Sequence, residues 1–489
     1  MSLEAVPGAA SLRFGSGGPW MESGRSAPIA TLEEAGAWLE GLIDLERTPR
    51  LRRSRLSLAP IRALLARLGN PERGLRVLHV AGSKGKGSTA LLAEALLRAV
   101  GRRVATFTSP HLERWTERFR LDGAEVAGER LAAAVETLRP HVEALRAGDP
   151  ETVPTFFDAT TAAALLLFAE AEVDAAVLEV GLGGRLDSTN ACAPAACCIT
   201  SIELEHTEVL GDTLGRIAGE KAGILKPGVP AVVGALHEEA AAAVRARAAQ
   251  VGAPLSWLGR DFTVEVEERG ADGLALGLRD GSFAAEAALP LLGAHHAANA
   301  ALAVAWVRRA AVVPDAELAR ALPRAFAGAR LPGRVELLGR RPWIVVDSAH
   351  TAASARALGA ALAKLPHRRA RLVLSVSAGK DLDAICRSLA PHFDAVTITR
   401  AERVRSLEPE AVARAVRTAA PGAAARVVPN PHLALRAARE GLEPDGLLCA
   451  TGSVYLAGIA RGVLAGGDAS ARVVVSRRDG EAPRDDRVG

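Results

Sequence analysis

The chain has 489 residues, of which 49% are hydrophobic, 24% charged and only 3% aromatic, so it is too long for one ordinary core and implies two or three globular domains. Its formal charge of +4 is small for that length, the signs are interspersed and no aromatic-basic module accompanies them, which argues against a nucleic-acid surface and for one anion site. No run approaches 18 apolar residues and the N-terminus lacks an apolar export segment, while Cys192, Cys197, Cys198, Cys386 and Cys449 form no CxxC pair, so the chain reads as a cytoplasmic protein with reduced core thiols.

Residues 1–28 are rich in Gly, Ser and Pro and are expected to be disordered, with Met21 a candidate start. Thr31-Leu-Glu-Glu34 is a capping box that opens a helix over 32–43, and a second helix is expected over 60–68. The run 77–89, VLHVAGSKGKGST, reads as a buried strand, a glycine turn and a helix start. Gly82, Gly85 and Gly87 let the backbone turn its N–H groups inward, Lys86 reaches the outer phosphates, and Ser88, followed by Thr89, offers a hydroxyl to magnesium. The spacing is GxxGKGS, shorter than the common GxxxxGK[ST]. A helix over 88–100 and a strand over 104–108 make a βαβ unit, hence a parallel sheet with ligands at the strand C-termini.

Further along come a polar segment from Thr108 to Phe119, an apolar helix opening at Thr155-Phe-Phe-Asp158, and a strand over 175–180. That strand ends in Glu179 and a glycine turn, a placement suited to holding a cation over phosphates. A strand over 197–202 leads to Glu203-Leu-Glu-His206 and a block from Leu210 to Gly228. Residues 231–289 read as a helix and short strands without assigned chemistry. A glycine- and proline-bearing linker over 325–332 precedes alternating strands and helices (343–347, 352–364, 371–376, 381–389, 396–399, 447–451) that form a second α/β sheet. Lysine usage singles out the same blocks: the 60 basic residues include only Lys84, Lys86, Lys221, Lys226, Lys364 and Lys380, and five of the six fall inside them. There a compact or reactive amine does what a guanidinium cannot.

HVAGSKGKGST resembles the nucleotide loop of folylpolyglutamate and dihydrofolate synthases, ligases of the Mur family, and matching blocks recur to about Leu464. The resemblance implies a P-loop central ATPase domain with a mostly parallel sheet (29–328), a smaller Rossmann-like domain (329–466) and a flexible tail (467–489). It implies that Ser109, Pro110 and His111 belong to a mobile loop near pterin and phosphate, and that Phe156 and Phe157 lie beside the folate. Glu179 heads a block similar to EVGLGGRLDATN; His206 would bind a second magnesium, and Lys221 would be carbamylated to join the metal site. The family has Asp where this chain has Glu205. Asn299 would contact nucleotide, with His296 where glutamine is usual, and Arg334 would cross to the ATP phosphates. Asp347-Ser-Ala-His350 resembles the family's DGAH, Asp347 facing nucleotide and His350 the incoming amino acid, with Ser348 and Thr351 departing from the pattern. Ser453, in the closing TGSxYxxG block, would lie near the amino acid.

The implied reaction is ATP-dependent addition of L-glutamate to a folate or to dihydropteroate through an acyl phosphate, by a monomer using two magnesium ions. A Mur-type peptidoglycan ligase is the neighbouring alternative, weighed down by the short stretch before the loop. A switch GTPase lacks its spacing and base reader. A basic nucleic-acid binder is the remaining non-enzyme reading, testable by salt-sensitive oligonucleotide retention.

Overall fold

The computed structural model describes residues 28–43 and 56–465. The expectations for residues 1–27, for a start at Met21 and for the tail from 467 lie outside them.

Short runs of small and branched apolar residues form the first sheet: β1 (Val77–Ala81), β2 (Val104–Phe107), β3 (Phe119–Leu121), β4 (Ala124–Glu125), β5 (Ala175–Glu179), β6 (Pro194–Ile199), β7 (Ala231–Val233) and β8 (Leu255–Trp257). Their order is β4-β3-β2-β5-β1-β6-β7-β8, parallel from β2 to β8 with an antiparallel hairpin at one edge. Every residue of β1, β2 and β5 is buried, as strands covered on both faces must be. β1 is central: Val80 stands beside Glu179 on one side, and Ala81 beside Ile199 on the other. With neighbouring strands about 4.8 Å apart, the segments leaving β5, β1 and β6 emerge together, and this adjacency builds the site.

Helices cover the sheet. The expected capping box is present, with Thr31 Oγ1 accepting the Glu34 N–H at 3.2 Å and the Glu34 carboxylate accepting the Thr31 N–H at 2.9 Å. The helix it opens ends at Glu40. The helix Phe156–Glu170 starts on the same device, Thr155 with Asp158, and is buried almost all round. Each large apolar side chain so buried contributes about 1.5–3 kcal/mol.

The stretch without assigned chemistry holds the helix Glu238–Val251 and an antiparallel sheet of β9 (Phe262–Glu268), β10 (Leu274–Asp280) and β11 (Phe283–Leu289). Leu274, Leu276 and Leu278 alternate inward and share a core with the helix His295–Arg309, where the buried Trp306 donates its indole N–H to the Ala196 carbonyl at 3.1 Å. The small sheet packs against this helix, which carries Asn299 to the turn at Gly85.

The second sheet comprises β12 (Glu336–Arg340), β13 (Trp343–Val346), β14 (Ala370–Leu374), β15 (Ala395–Ile398), β16 (Ala424–Val427) and β17 (Leu447–Thr451), ordered β12-β13-β17-β14-β15-β16 and parallel except for β12. It has cores of its own.

Three expectations need correction. The strand placed at 197–202 runs over Pro194–Ile199, because Thr200 and Ser201 leave the ladder to bond the loop at Lys84. The helix Asp315–Ala327 runs into the expected linker and ends at Gly328. β12, β16 and the helices Pro409–Ala419 and Pro431–Arg439, not expected from the sequence, complete the second unit. All five cysteines are buried and unbridged, and burial pushes the thiols of Cys192, Cys197 and Cys386 up to about 12. Among the described residues no helix is long and apolar enough to cross a membrane.

Candidate active site

The loop 82–88 joins β1 to the helix Lys86–Ala99. Gly82 and Gly85 have φ of +153° and +83°, and a Cβ at either would run into Thr200 Oγ1 or Asn299 Oδ1 respectively, so only glycine fits. Neighbouring segments fix the turn: Thr200 Oγ1 donates to the Lys84 carbonyl at 2.6 Å, and the Lys84 N–H donates to Ser201 Oγ at 2.9 Å. The helix N-terminus directs unsatisfied N–H groups and positive dipole at the loop. Ser88 and Thr89 are buried behind it, and Thr89 Oγ1 has no hydrogen-bond partner among the described residues. Asn299, expected at the nucleotide, therefore packs directly against the turn.

Glu179 closes the loop from the β5 side. Its carboxylate lies over Gly87, where a Cβ would sit 3.2 Å from Oε2, and accepts the Ser109 N–H at 3.1 Å. Burial pushes its pKa up, while Lys86, the Ser109 N–H and Arg334 pull it back. The segment Ser109-Pro110-His111, with a cis peptide at the proline, is thus tied to the Glu179 carboxylate. His111 Nδ1 accepts from Arg118 Nε at 2.9 Å, and its ring lies 4.8 Å from Trp115. Phe156 and Phe157 part company. Phe156 is 5% exposed, with Trp115 5.5 Å from its ring and the Arg118 guanidinium over it, so it is a core residue and not a stacking platform. Phe157 is half-buried, and its ring fills the space beside Gly181.

The β6 side brings Glu205, His206 and Lys221. Lys221, 3% exposed on the helix Leu214–Ala222, donates from Nζ to the Gly82 carbonyl at 2.9 Å and to Glu205 Oε1 at 3.2 Å. Burial and the nearby Lys86 lower its pKa to about 8, against the pull of Glu205. Burial pushes Glu205 up, yet Lys221, Lys84 and Lys86 together hold it well below the usual carboxylate range. His206 has φ of +50°, a left-handed conformation that costs a side-chain-bearing residue about 1–3 kcal/mol. Burial lowers its pKa to about 4, leaving a neutral imidazole at pH 7.

The second sheet contributes the loop after β13. Both Asp347 oxygens accept backbone N–H groups, from Val335 at 2.8 Å and Ala349 at 2.6 Å, so this carboxylate first pins the turn that carries Arg334. Arg334 donates to the Gly333 carbonyl at 3.0 Å and to Ser348 Oγ, which gives the Ser348 departure a purpose. His350 donates from Nδ1 to the Ser348 carbonyl at 2.8 Å and accepts at Nε2 from Lys84 at 3.3 Å. Ser453 is 2% exposed and caps the helix Val454–Leu464 by accepting the Leu456 N–H at 3.1 Å, a structural duty the sequence did not disclose. Sequence reasoning also gave no role to Lys84 and Glu205. The scarcity of lysine pointed at the first, and the departure from Asp at the second.

The donor set fits a phosphate-bound magnesium. Among the described residues no three His, Cys, Asp or Glu side chains converge as a metal cluster. Magnesium retains water and takes substrate phosphate oxygens, so Ser88 and Glu179 are enough for one ion. A neutral His206 suits a second. Lys221 as an ammonium is a donor only and fits a metal site only once carboxylated.

Comparison with known proteins agrees with this geometry. Residues 80–307 match the Mur ligase middle domain and residues 333–454 the Mur ligase glutamate ligase domain. The chain is 33% identical over 402 residues to a Bacillus subtilis protein named dihydrofolate synthase/folylpolyglutamate synthase, covering 77% of this chain and 87% of that one. It is 39% identical over 328 residues to a Halobacterium salinarum protein named probable bifunctional folylpolyglutamate synthase/dihydropteroate synthase; the match covers 67% of this chain but spans only 40% of that longer relative. Among solved structures, Mycobacterium tuberculosis folylpolyglutamate synthase complexed with ADP superposes with a TM-score of 0.81 at 32% identity, covering 90% of this chain and 99% of that one.

Proposed function

The chain belongs to the Mur ligase family, in its folylpolyglutamate and dihydrofolate synthase branch, and from that premise we propose that it is an ATP-dependent ligase joining L-glutamate to a folate, to dihydropteroate, or to both. The observation that carries this reading is the meeting of one glycine loop with residues of both units: Glu179 and Lys221 from the first, and His350, through Lys84, from the second.

Joining a carboxylate to an amine in water is uphill, so the acid must first be activated as an acyl phosphate. Lys86, Gly82, Gly85, Gly87, Ser88, Thr89 and Asn299 hold the triphosphate, and Lys86 with Arg334 balances charge spreading over the transferred phosphoryl group. Two magnesium ions, held by Ser88, Glu179, His206 and Lys221, would supply Lewis-acid neutralisation of the same oxygens. The folate lies along Ser109, Pro110, His111 and Phe157, its carboxylate attacking in line. The glutamate amine then displaces phosphate beside His350, with Asp347 and Ser453 fixing the strand ends around it. Closure of a unit near 329–466 over one near 29–328 excludes water.

Lys221 fits carbamylation chemically. Carbon dioxide is captured only by a neutral amine, and a value of about 8 leaves a useful neutral fraction at physiological pH, whereas an ordinary lysine near 10.4 would leave little. The carbamate would exchange a buried cation for an oxygen ligand facing the loop. A monomeric, cytoplasmic enzyme completes the reading.

The test is glutamate-dependent ADP release with dihydropteroate against tetrahydrofolate as acceptor. Release with either, together with a product one glutamyl unit heavier, supports the ligase. ADP release with neither, from protein that binds ATP, removes it.

A further inference from the structure

Lys84 stands inside the loop 82–88, and its side chain reaches two acceptors on other segments. Its ammonium donates to Glu205 Oε2 at 3.1 Å, within the first unit, and to His350 Nε2 at 3.3 Å, on the second sheet's first loop. Because Nδ1 of the same ring donates to the Ser348 carbonyl at 2.8 Å, the ring is held from both sides in one tautomer, neutral, with its Nε2 lone pair toward the nucleotide loop. The backbone of Lys84 is equally fixed, by Thr200 and Ser201. From this geometry we infer that Lys84 is a positioning residue for the amino-acid step: a cationic bridge that sets His350 against the phosphate loop and so couples glutamate binding to closure of the two units.

The inference rests on the ligase reading and adds to it a role for Lys84, which joins Glu205 to His350. Three observations support it. A lysine is required by the geometry, since a single compact ammonium offers three rotatable donors to acceptors in different directions, whereas a guanidinium presents a planar fork. The contact joins residues 266 apart in sequence, one from each sheet, so it exists only when the units are together. Burial, with the cations Lys84, Lys380 and Arg334 around it, keeps His350 uncharged, which preserves the Nε2 lone pair that accepts from Lys84. Glu205 anchors the bridge at the other end, its Oε2 accepting from the Lys84 ammonium at 3.1 Å.

The experiment compares wild type with Lys84→Met and Lys84→Gln, measuring KM for glutamate and for the folate acceptor, AMPPCP affinity by calorimetry, and the pH profile of kcat/KM for glutamate. Either variant is expected to raise KM for glutamate about tenfold or more while AMPPCP affinity and acceptor KM stay within about threefold. An acid limb is also expected to move up in pH, because His350 loses a neighbouring cation. In the double variant Lys84→Met/His350→Asn, glutamate KM should match that of His350→Asn alone, since both changes remove one interaction. An unchanged glutamate KM, a parallel loss of AMPPCP affinity, or multiplicative effects in the double variant would each overturn the bridge. The Gln variant and the binding data keep the answer readable should the Met variant fold poorly. Wild type that turns over while both variants match it sinks only this inference; wild type that shows no glutamate-dependent ADP release sinks the ligase reading itself.

Discussion

At the carboxyl edge of the first sheet, β5, β1 and β6 lie side by side, and Glu179, Lys86 and Glu205 all fall within a few residues of their ends; at the carboxyl edge of the second, Asp347, Ser348 and Ser453 are engaged by backbone, an arginine or a helix cap. The first edge keeps charged groups buried and opposed: Lys221 sits below its ordinary pKa, Glu205 below and Glu179 above theirs. The second is mostly a rigid mount for two groups that project across the join, Arg334 and His350. Charge is concentrated where phosphoryl transfer would demand preorganised electrostatics, and rigidity where an amino acid must be presented.

If that division is correct, the largest effect comes from the first edge. Lys86→Met should lower kcat for glutamate-dependent ADP release by about a thousandfold with the fold intact, since it removes a charge aimed at the transferring group. A residual rate within tenfold of wild type would place the chemistry elsewhere. Lys221→Arg keeps a positive charge but cannot form a carbamate, and should cost about a hundredfold. Retained activity in that variant would end the carbamate proposal.

The sequence made the first edge legible because its chemistry is local. Three glycines, two lysines and two serines fall in seven consecutive residues, and an acidic residue ends a strand before a second glycine turn. The strand order that brings Glu179 and Lys221 to Gly82 is a property of the whole sheet and follows only loosely from βαβ topology. The second edge was less legible for a physical reason. A buried Asp or Ser has the same letter whether it serves a ligand or a backbone N–H, and Asp347 and Ser453 proved to serve the backbone. Phe156 misled in the same way, because an aromatic at a helix start packs into the core as readily as it faces a ligand. The helices after residue 400 were missed because small alanines, Ala413, Ala434 and Ala438, make up half of the aliphatic residues on the buried faces beside Val412, Val416 and Leu435, although the arginines are all exposed.

Acid should separate the edges from the rest of the fold. Burial holds His79, His206 and His350 at about 3, 4 and 3, against 6.5 when exposed. As pH falls from 6.5 towards 4 the unfolded chain takes up protons that these rings refuse, so stability falls, by about 1.4 kcal/mol per pH unit for each ring. Asp187, raised by burial to about 6 from 3.8, acts in the opposite sense below 6, as do Glu94, Asp158, Glu179, Glu203 and Asp347, all raised by burial, so the ring effect is read as a difference between proteins. In urea denaturation at pH 6.5 and 4.5, His79→Gln, which lies away from both edges' chemistry, should lose less stability than wild type on acidification, by about one proton's linkage. The same pH dependence in both proteins would contradict the buried-neutral assignment of His79. The smallest effect is expected at Ser348→Gly, which frees Arg334 from one acceptor and should change kcat by about two- to fivefold without altering glutamate KM. A larger change in KM than in kcat would mean that the mount, and not the arginine, had been disturbed.

The most direct measurement is a crystal structure of this protein with AMPPCP and magnesium. Phosphates on residues 82–88, a magnesium ion about 2.1 Å from Ser88 Oγ and bound to or bridged by water to Glu179, and Arg334 turned toward the terminal phosphate are the predicted result. Phosphates bound elsewhere, or a metal with neither Ser88 nor Glu179 in reach, would contradict a shared centre at the meeting of the two sheets.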